Sequence, residues 1–382
     1  MKIIVAPDSY KGSLTAVQVA SAMARGIGRV YPEAQVVQMP IADGGEGTVV
    51  AMVAALGGEM VETTVQGPLG APVVAQWGLV ASGETAVIEM AAASGLPLLS
   101  SAERDPLRAS SHGTGELIVA ALDKGVKRII IGLGGSATND GGAGMAQALG
   151  AKLYDDWGKP LQPGGAALAR LETVDLSALD ARLAETEIWV ACDVDNPLCG
   201  PQGASAVYGP QKGATSEMVA QLDAALAVYA GIMTEATGRA VAEKPGTGAA
   251  GGLGAGLLWL TNARLRPGVE MVLEVAEFEK QLLDTDWVLT GEGRTDQQTA
   301  FGKAPIGVAS AAKRHAVPVA LLSGGLSQGW QAVLEAGIDA AASVVPGPMR
   351  LEECLAAGEE LVADGAERLC LLLALGEKLK KH

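Results

Sequence analysis

Two patterns of apolar and polar positions alternate along the chain. Lys2–Ala6 is a short apolar run that breaks into Pro7-Asp8-Ser9-Tyr10-Lys11-Gly12-Ser13-Leu14, and a helix is expected from about Thr15 to Val30. Gln35–Met39 repeats the strand signal, Ala42-Asp43-Gly44-Gly45-Glu46-Gly47-Thr48 repeats the polar loop, and a helix to about Leu56 follows. After Asp286 the same order returns, with strands at Trp287–Thr290, Val317–Leu322 and Ala341–Val345 and a closing helix over about Leu351–Lys380. Strand, polar loop and helix is the unit of open parallel α/β sheets, which present ligand-binding groups at the carboxyl ends of their strands.

Between these halves the pattern changes. Val61–Val65, Val73–Val80 and Thr85–Met90 are β-like runs joined by turns without intervening helices, as in an antiparallel or mixed sheet. A helix from about Gly115 to Leu122, strands at Arg128–Gly132 and Glu187–Cys192, and a long helix over about Ser216–Thr237 complete this part. Two strands at the start and three at the end make one doubly wound parallel sheet domain. The chain therefore reads as an α/β domain built from both termini, 1–58 and 282–382, with a second α/β mixed-sheet domain inserted over 59–281. The polar loops after its strands would then gather Asp8, Lys11, Asp43, Glu46, Glu292, Asp296 and Lys303 around one cleft facing the inserted part.

Composition narrows the classes. The chain has 382 residues, 49% of them hydrophobic, with 51 glycines and 3% aromatics, which fits a large aliphatic core with many tight turns. A net charge of −15 disfavours a nucleic-acid partner. No apolar run has membrane-spanning length, and Met1 leads directly into a strand, so neither a span nor a signal peptide is expected. Cys192, Cys199, Cys354 and Cys370 are scattered without metal-ligand spacing, which points to a reduced, cytoplasmic protein.

The densest chemistry lies in Thr290-Gly291-Glu292-Gly293-Arg294-Thr295-Asp296-Gln297-Gln298-Thr299-Ala300-Phe301-Gly302-Lys303-Ala304-Pro305, which releases both charge signs and repeated glycine after a buried strand. Lys11 and Lys303 are candidates to neutralise charge on a phosphoryl group. Asp193 and Asp296 are candidates to hold Mg²⁺ or to take a proton from a substrate hydroxyl. Asp43 and Asp140 sit where helix caps belong, so capping rivals ligand binding for both. Gly134-Gly135-Ser136, between a strand and a helix, offers backbone N–H groups and a helix N-terminus to an anion. Gly132-Leu133-Gly134-Gly135-Ser136-Ala137 also fits a dinucleotide fingerprint, with Asp155 and Asp156 near the acidic position. Gly302-Lys303 is followed by Ala304, so no Walker-type loop is present. His112 reads as a structural loop residue or, as the rival reading, a base, and Gly246–Gly256 as a nucleotide loop or a site of close backbone packing.

Six stretches in order resemble one family, the type I glycerate kinases of bacteria. They are Ala6-Pro7-Asp8-Ser9-Tyr10-Lys11-Gly12-Ser13; Ala42-Asp43-Gly44-Gly45-Glu46-Gly47-Thr48; Gly134-Gly135-Ser136-Ala137-Thr138-Asn139-Asp140-Gly141-Gly142; Ala191-Cys192-Asp193-Val194-Asp195-Asn196-Pro197-Leu198; Gly248-Ala249-Ala250-Gly251-Gly252-Leu253-Gly254; and Thr290-Gly291-Glu292-Gly293 through Asp296-Gln297-Gln298-Thr299 to Gly302-Lys303. Tyr10 stands where phenylalanine is expected. The resemblance implies a flavodoxin-like domain joined to a second α/β domain. It also implies ATP- and Mg²⁺-dependent phosphorylation of D-glycerate to 2-phosphoglycerate, in glyoxylate or sugar-acid breakdown. Asp193, Asp296, Lys11 and Lys303 are then the catalytic candidates, with Asp193 and Asp296 also the metal candidates. Asp8, Ser9, Asp43, Glu46, Gly134, Gly135, Ser136, Asn139, Asp140, Asn196, Gly251, Gly252, Glu292 and Gln298 are the binding candidates. Competing readings are formation of 3-phosphoglycerate, an NAD-dependent hydroxyacid oxidoreductase, and a non-catalytic binder of phosphorylated metabolites. A homodimer is the assembly held open.

Overall fold

The computed structural model describes residues 1–379. In chain order the strands are β1 (Lys2–Pro7), β2 (Gln35–Gln38), β3 (Glu59–Gln66), β4 (Pro72–Val80), β5 (Thr85–Glu89), β6 (Arg128–Gly132), β7 (Lys152–Asp155), β8 (Leu171–Asp175), β9 (Glu187–Ala191), β10 (Arg264–Arg266), β11 (Trp287–Glu292), β12 (Val319–Ser323) and β13 (Ala340–Ser343). Internal contacts divide the chain into two compact units. The first takes Met1–Asp43, Val50–Gly57 and the chain from Val269 onward; the second takes Gly44–Val49 and Gly58–Gly268. Residues 269–281, which the sequence reading places in the inserted part, thus fall in the first unit, and they carry most of the helices Gly268–Val275 and Phe278–Leu282.

The first unit holds a five-stranded sheet in the order β13-β12-β11-β1-β2, and every pairing is parallel. All six residues of β1 are buried, as expected of a central strand covered on both faces. Side chains alternate across a strand. Ile3 and Val5 join Met23, Ile27, Leu289 and Val362 in one core cluster, while the fully buried Ile4 serves the opposite face. The helix Ala16–Val30 opens with a capping box, Thr15 Oγ1 accepting from Gln18 N and Gln18 Oε1 accepting from Thr15 N. It packs closely on the helix Gly358–Leu379: a Cβ on Gly26 would lie 2.1 Å from the Ala363 carbonyl oxygen, so only glycine permits this approach. Arg29 ties the pair together through Glu360 (2.7 Å), Asp364 (2.8 Å) and Glu367 (3.0 Å). The closing helix expected over Leu351–Lys380 is two helices, Leu351–Ala356 and Gly358–Leu379, and Lys380 lies outside the described residues.

In the second unit a six-stranded sheet runs β10-β9-β6-β5-β4-β3. The pairings β3–β4 and β4–β5 are antiparallel, and those from β5 to β10 are parallel. This is the mixed sheet expected from the helix-free run of strands. The hairpin β7–β8 and the short β10 were not legible as strands, being short and largely polar. Gly246–Gly256 is not an open loop. Most of it enters the buried helix Ala249–Leu260, whose first turns carry left-handed residues at Ala250, Gly251 and Gly252.

Candidate active site

In the first unit β1 connects to β2 on one side, while β11 leads to β12 and β13 on the other. The loops after β1 and β11 therefore leave the sheet at its topological switch point, where open α/β sheets bind ligands. A cavity of about 320 Å³ lies there. Its polar wall carries Asp8, Ser9, Lys11 and Ser13 from the first loop, Asp43 from the segment after β2, and Glu292, Arg294 and Lys303 from the stretch after β11.

Each polar group is held by local structure. The Asp8 amide donates to the Gly291 carbonyl (2.8 Å), and the Ser9 amide donates to Asp8 Oδ1 (2.6 Å), so the carboxylate is fixed against the end of β11. Burial pushes the Asp8 carboxyl up to about 7, reinforced by the neighbouring Asp43 charge and more weakly by Glu292; the Ser9 amide and Lys11 oppose the shift. Tyr10 OH donates to the Leu322 carbonyl (2.7 Å), anchoring the loop to β12 from inside the core. Glu292 is buried, and its Oε1 accepts from Thr299 Oγ1 (2.6 Å) and Thr295 Oγ1 (3.0 Å). Its Oε2 lies 3.6 Å from Lys303 Nζ.

Asp296 and Gln298 do not line this cavity. Asp296 is the N-cap of a short 3₁₀ turn, Gln297–Ala300, and its Oδ1 accepts from the Gln298 amide (2.9 Å). Gln298 itself is exposed. Arg294 is a cavity residue that sequence reasoning did not single out, although it stood inside the stretch marked as richest in chemistry.

In the second unit the Gly134–Asp140 motif is largely committed to packing. Gly134 and Gly135 are exposed after β6, and Ser136 is buried. The helix that follows, Ala143–Ala148, begins only after Gly142. The glycines therefore do not open onto a helix N-terminus, as the dinucleotide fingerprint requires, and what the exposed Gly134 and Gly135 offer an anion is their backbone N–H groups. Asp155, the acidic residue of that fingerprint, accepts from the amides of Trp157 (3.0 Å) and Lys159 (2.9 Å) and pairs with Arg170.

Asp140 is fully buried and accepts from Ser111 N (2.8 Å), Ser111 Oγ (2.9 Å), Gly142 N (3.2 Å) and Gly144 N (3.2 Å). Its pKa is raised by burial against the opposing pull of those donors. Asn139 donates to Ser205 Oγ (2.9 Å), while its Oδ1 is buried without a protein partner. Asn196 clamps its own loop, donating to the Gln202 carbonyl (2.8 Å) and accepting from Tyr208 OH (2.6 Å). Gly251 and Gly252 are buried against the backbone of Thr138–Asn139 and Gly141, where added Cβ atoms would approach to 2.0 and 2.8 Å.

Asp193 is exposed, with Oδ1 accepting from the Gly268 amide (3.1 Å), and Glu46 is exposed. At the start of the helix Thr48–Leu56 the Val49 amide donates to Glu89 Oε1 (2.9 Å), and Asp43 lines the cavity. His112 is the first residue of the helix His112–Asp123 rather than a loop residue. Among the described residues no group of three or more His, Cys, Asp or Glu side chains is arranged to hold a metal ion. No described helix is long and apolar enough to cross a membrane.

Carboxylates and cations thus gather at the switch point of a parallel α/β sheet, the place where such sheets form ligand sites. The chain belongs to the glycerate kinase family, whose model matches residues 3–374. It is 51% identical to a glycerate kinase of Bacillus subtilis, over 100% of this chain and 99% of that protein. It is 48% identical to a glycerate 2-kinase of Escherichia coli, with 98% of this chain and 99% of the relative covered. The crystal structure of a candidate glycerate kinase 2 from Salmonella typhimurium LT2 superposes with a TM-score of 0.91 at 50% identity, covering 99% of each chain.

Proposed function

We propose that this enzyme transfers the terminal phosphoryl group of ATP to the 2-hydroxyl of D-glycerate, giving 2-phosphoglycerate and ADP. The 2-position is supported by the E. coli relative, named a glycerate 2-kinase. The observation that carries the reading is the cavity at the switch point, where Lys11, Arg294 and Lys303 face Asp8, Asp43 and Glu292. Phosphoryl transfer needs positioned positive charge and a metal contact more than covalent chemistry, and this wall supplies that inventory.

In this reading Lys11 and Lys303 contact the transferred phosphoryl or the glycerate carboxylate, and Arg294 adds a third cation. The glycerate hydroxyl oxygen forms the new P–O bond as the bond to ADP breaks, and the hydroxyl proton passes to a carboxylate. Asp193 and Asp296 remain the proposed proton acceptors. For Mg²⁺ the fit is better at Asp8 and Asp43, because burial and mutual repulsion there are what a divalent cation relieves. Asp8 and Asp43 would hold the cation there, and the chemistry it would supply is Lewis-acid stabilisation of negative charge on the phosphoryl group. The order of motifs along the chain supports a further proposal, that each unit is a separate folding domain.

The test is a coupled ADP-release assay with D-glycerate, ATP and Mg²⁺, with the product identified by NMR. Formation of 2-phosphoglycerate is expected. 3-Phosphoglycerate would correct the position of transfer, and no ADP above the substrate-free control would overturn the substrate.

A further inference from the structure

The cavity of the first unit has a second wall that the chemistry above does not use. It is formed by the end of β13 and the two C-terminal helices, through Val344, Val345, Leu351, Leu355, Leu361 and Val362. Val344, Leu361 and Val362 belong to the unit's core, which makes the floor of this wall rigid. Leu351 and Leu355, by contrast, leave 68% and 42% of their surface exposed at its rim. Cys354, a free and partly exposed thiol, stands between them.

A three-carbon hydroxy acid bearing a carboxylate and two hydroxyls has no apolar face to bury against six aliphatic side chains. A cavity of about 320 Å³ also reaches the size range of sites for much larger ligands, roughly 300–1,000 Å³. A nucleoside triphosphate is amphipathic in the same sense as the cavity, with a flat apolar base at one end and a polyanion at the other. We propose that the aliphatic wall receives the nucleoside of the phosphoryl donor, so that its phosphates run toward Lys11, Arg294 and Lys303. The first unit is then the nucleotide-holding unit. This placement rests on the kinase reading above and adds which wall holds which end of the donor.

Leu351→Asp and Leu355→Asp test it on the intact enzyme. Leu351 is largely exposed and Leu355 lies at the rim with less than half its surface exposed, so Leu351→Asp should keep the wild-type melting temperature and Leu355→Asp should stay close to it. MgADP titrated by calorimetry in the absence of glycerate should bind each variant at least ~10-fold more weakly, equivalent to about 1.4 kcal/mol, while KM for D-glycerate stays within ~2-fold. In parallel, alkylation of Cys354, followed by mass spectrometry, should be slowed by saturating MgADP and not by D-glycerate. Unchanged MgADP affinity in both variants, or protection by glycerate alone, would overturn the placement while leaving the kinase intact. A wild-type enzyme with no affinity for MgADP would instead overturn the kinase reading, and the placement with it.

Discussion

Lys303 Nζ lies 3.6 Å from Glu292 Oε2, and Glu292 is itself buried and tied through Oε1 to the hydroxyls of Thr295 and Thr299. A flexible ammonium is thereby tethered to a rigid carboxylate at the carboxyl end of β11. The pair joins a cation of the cavity directly to the sheet.

Removing either half of this relationship should have separable effects. Glu292→Gln retains an oxygen acceptor for the two threonines but takes away the charge that attracts Lys303. Its expected phenotype is a loss of ~10-fold or more in kcat/KM with a near-normal melting curve. Glu292→Ala also takes away the acceptor of the buried Thr299 hydroxyl, while Thr295 keeps Ser323 Oγ (3.0 Å), so it should cost about 1 kcal/mol or more of stability besides. Steady-state kinetics and thermal melts of the two variants side by side distinguish these outcomes.

Asp8 makes the enzyme's stability depend on pH. Its folded pKa of about 7 lies above the ordinary value of 3.8, so the native state holds a proton there that the unfolded chain has released. Stability associated with this group is fully present below pH ~4 and is lost as pH rises through 7. Asp8→Asn should therefore be more stable than wild type at pH 8, by ~1–2 kcal/mol after allowance for solvent contact, with the gain vanishing near pH 4. Melting temperatures of both proteins from pH 4 to 8 check the sign, and catalytic activity is expected to fall in the variant at every pH.

Lys212 predicts the opposite slope. It is fully buried, donates to the Thr138 carbonyl (2.7 Å), and burial pushes its pKa down to about 7 against the pull of Asp140. Between pH 7 and the ordinary lysine range the unfolded chain binds the additional proton, so this group makes stability rise with pH there. Lys212→Met should flatten that rise. Denaturant midpoints at pH 7 and pH 9.5 measure it, and an unchanged slope would show that the amine is not the source.

Asp296 permits a substitution that removes charge alone. Asparagine caps helices about as well as aspartate, so Asp296→Asn should keep the Gln297–Ala300 turn and the melting temperature. If the carboxylate takes the substrate's proton, kcat should fall by about 10²-fold or more. Near-normal turnover would assign it to capping and leave Asp193 as the acceptor to test next.

The sequence by itself determined the parallel sheet and its membership. Short apolar runs followed by polar, glycine-bearing loops appear twice at the start and recur at the end, and β1, β2, β11, β12 and β13 do form one parallel sheet. For β1, β11 and β12 that was legible because strand burial on both faces imposes continuous apolar runs, which are local in sequence, and the edge strands β2 and β13 were legible from shorter apolar runs in the same strand–loop–helix order. The polar loops were legible for the same reason, and Asp8, Ser9, Lys11, Asp43, Glu292 and Lys303 all line the cavity.

Tertiary structure alone decided how each carboxylate is engaged. Asp140 and Asp8 look alike in sequence, each in a glycine-containing loop after a strand. Yet Asp140 meets four donors in a closed core, whereas Asp8 meets one amide and a second carboxylate at the edge of a cavity. Which donors come within reach depends on segments such as Ser111, 29 residues away in sequence. The aliphatic wall was equally hidden. Leu351, Leu355, Leu361 and Val362 carry the pattern of any amphipathic helix, and only the break before Gly358 and the position of β13 turn that face toward a cavity.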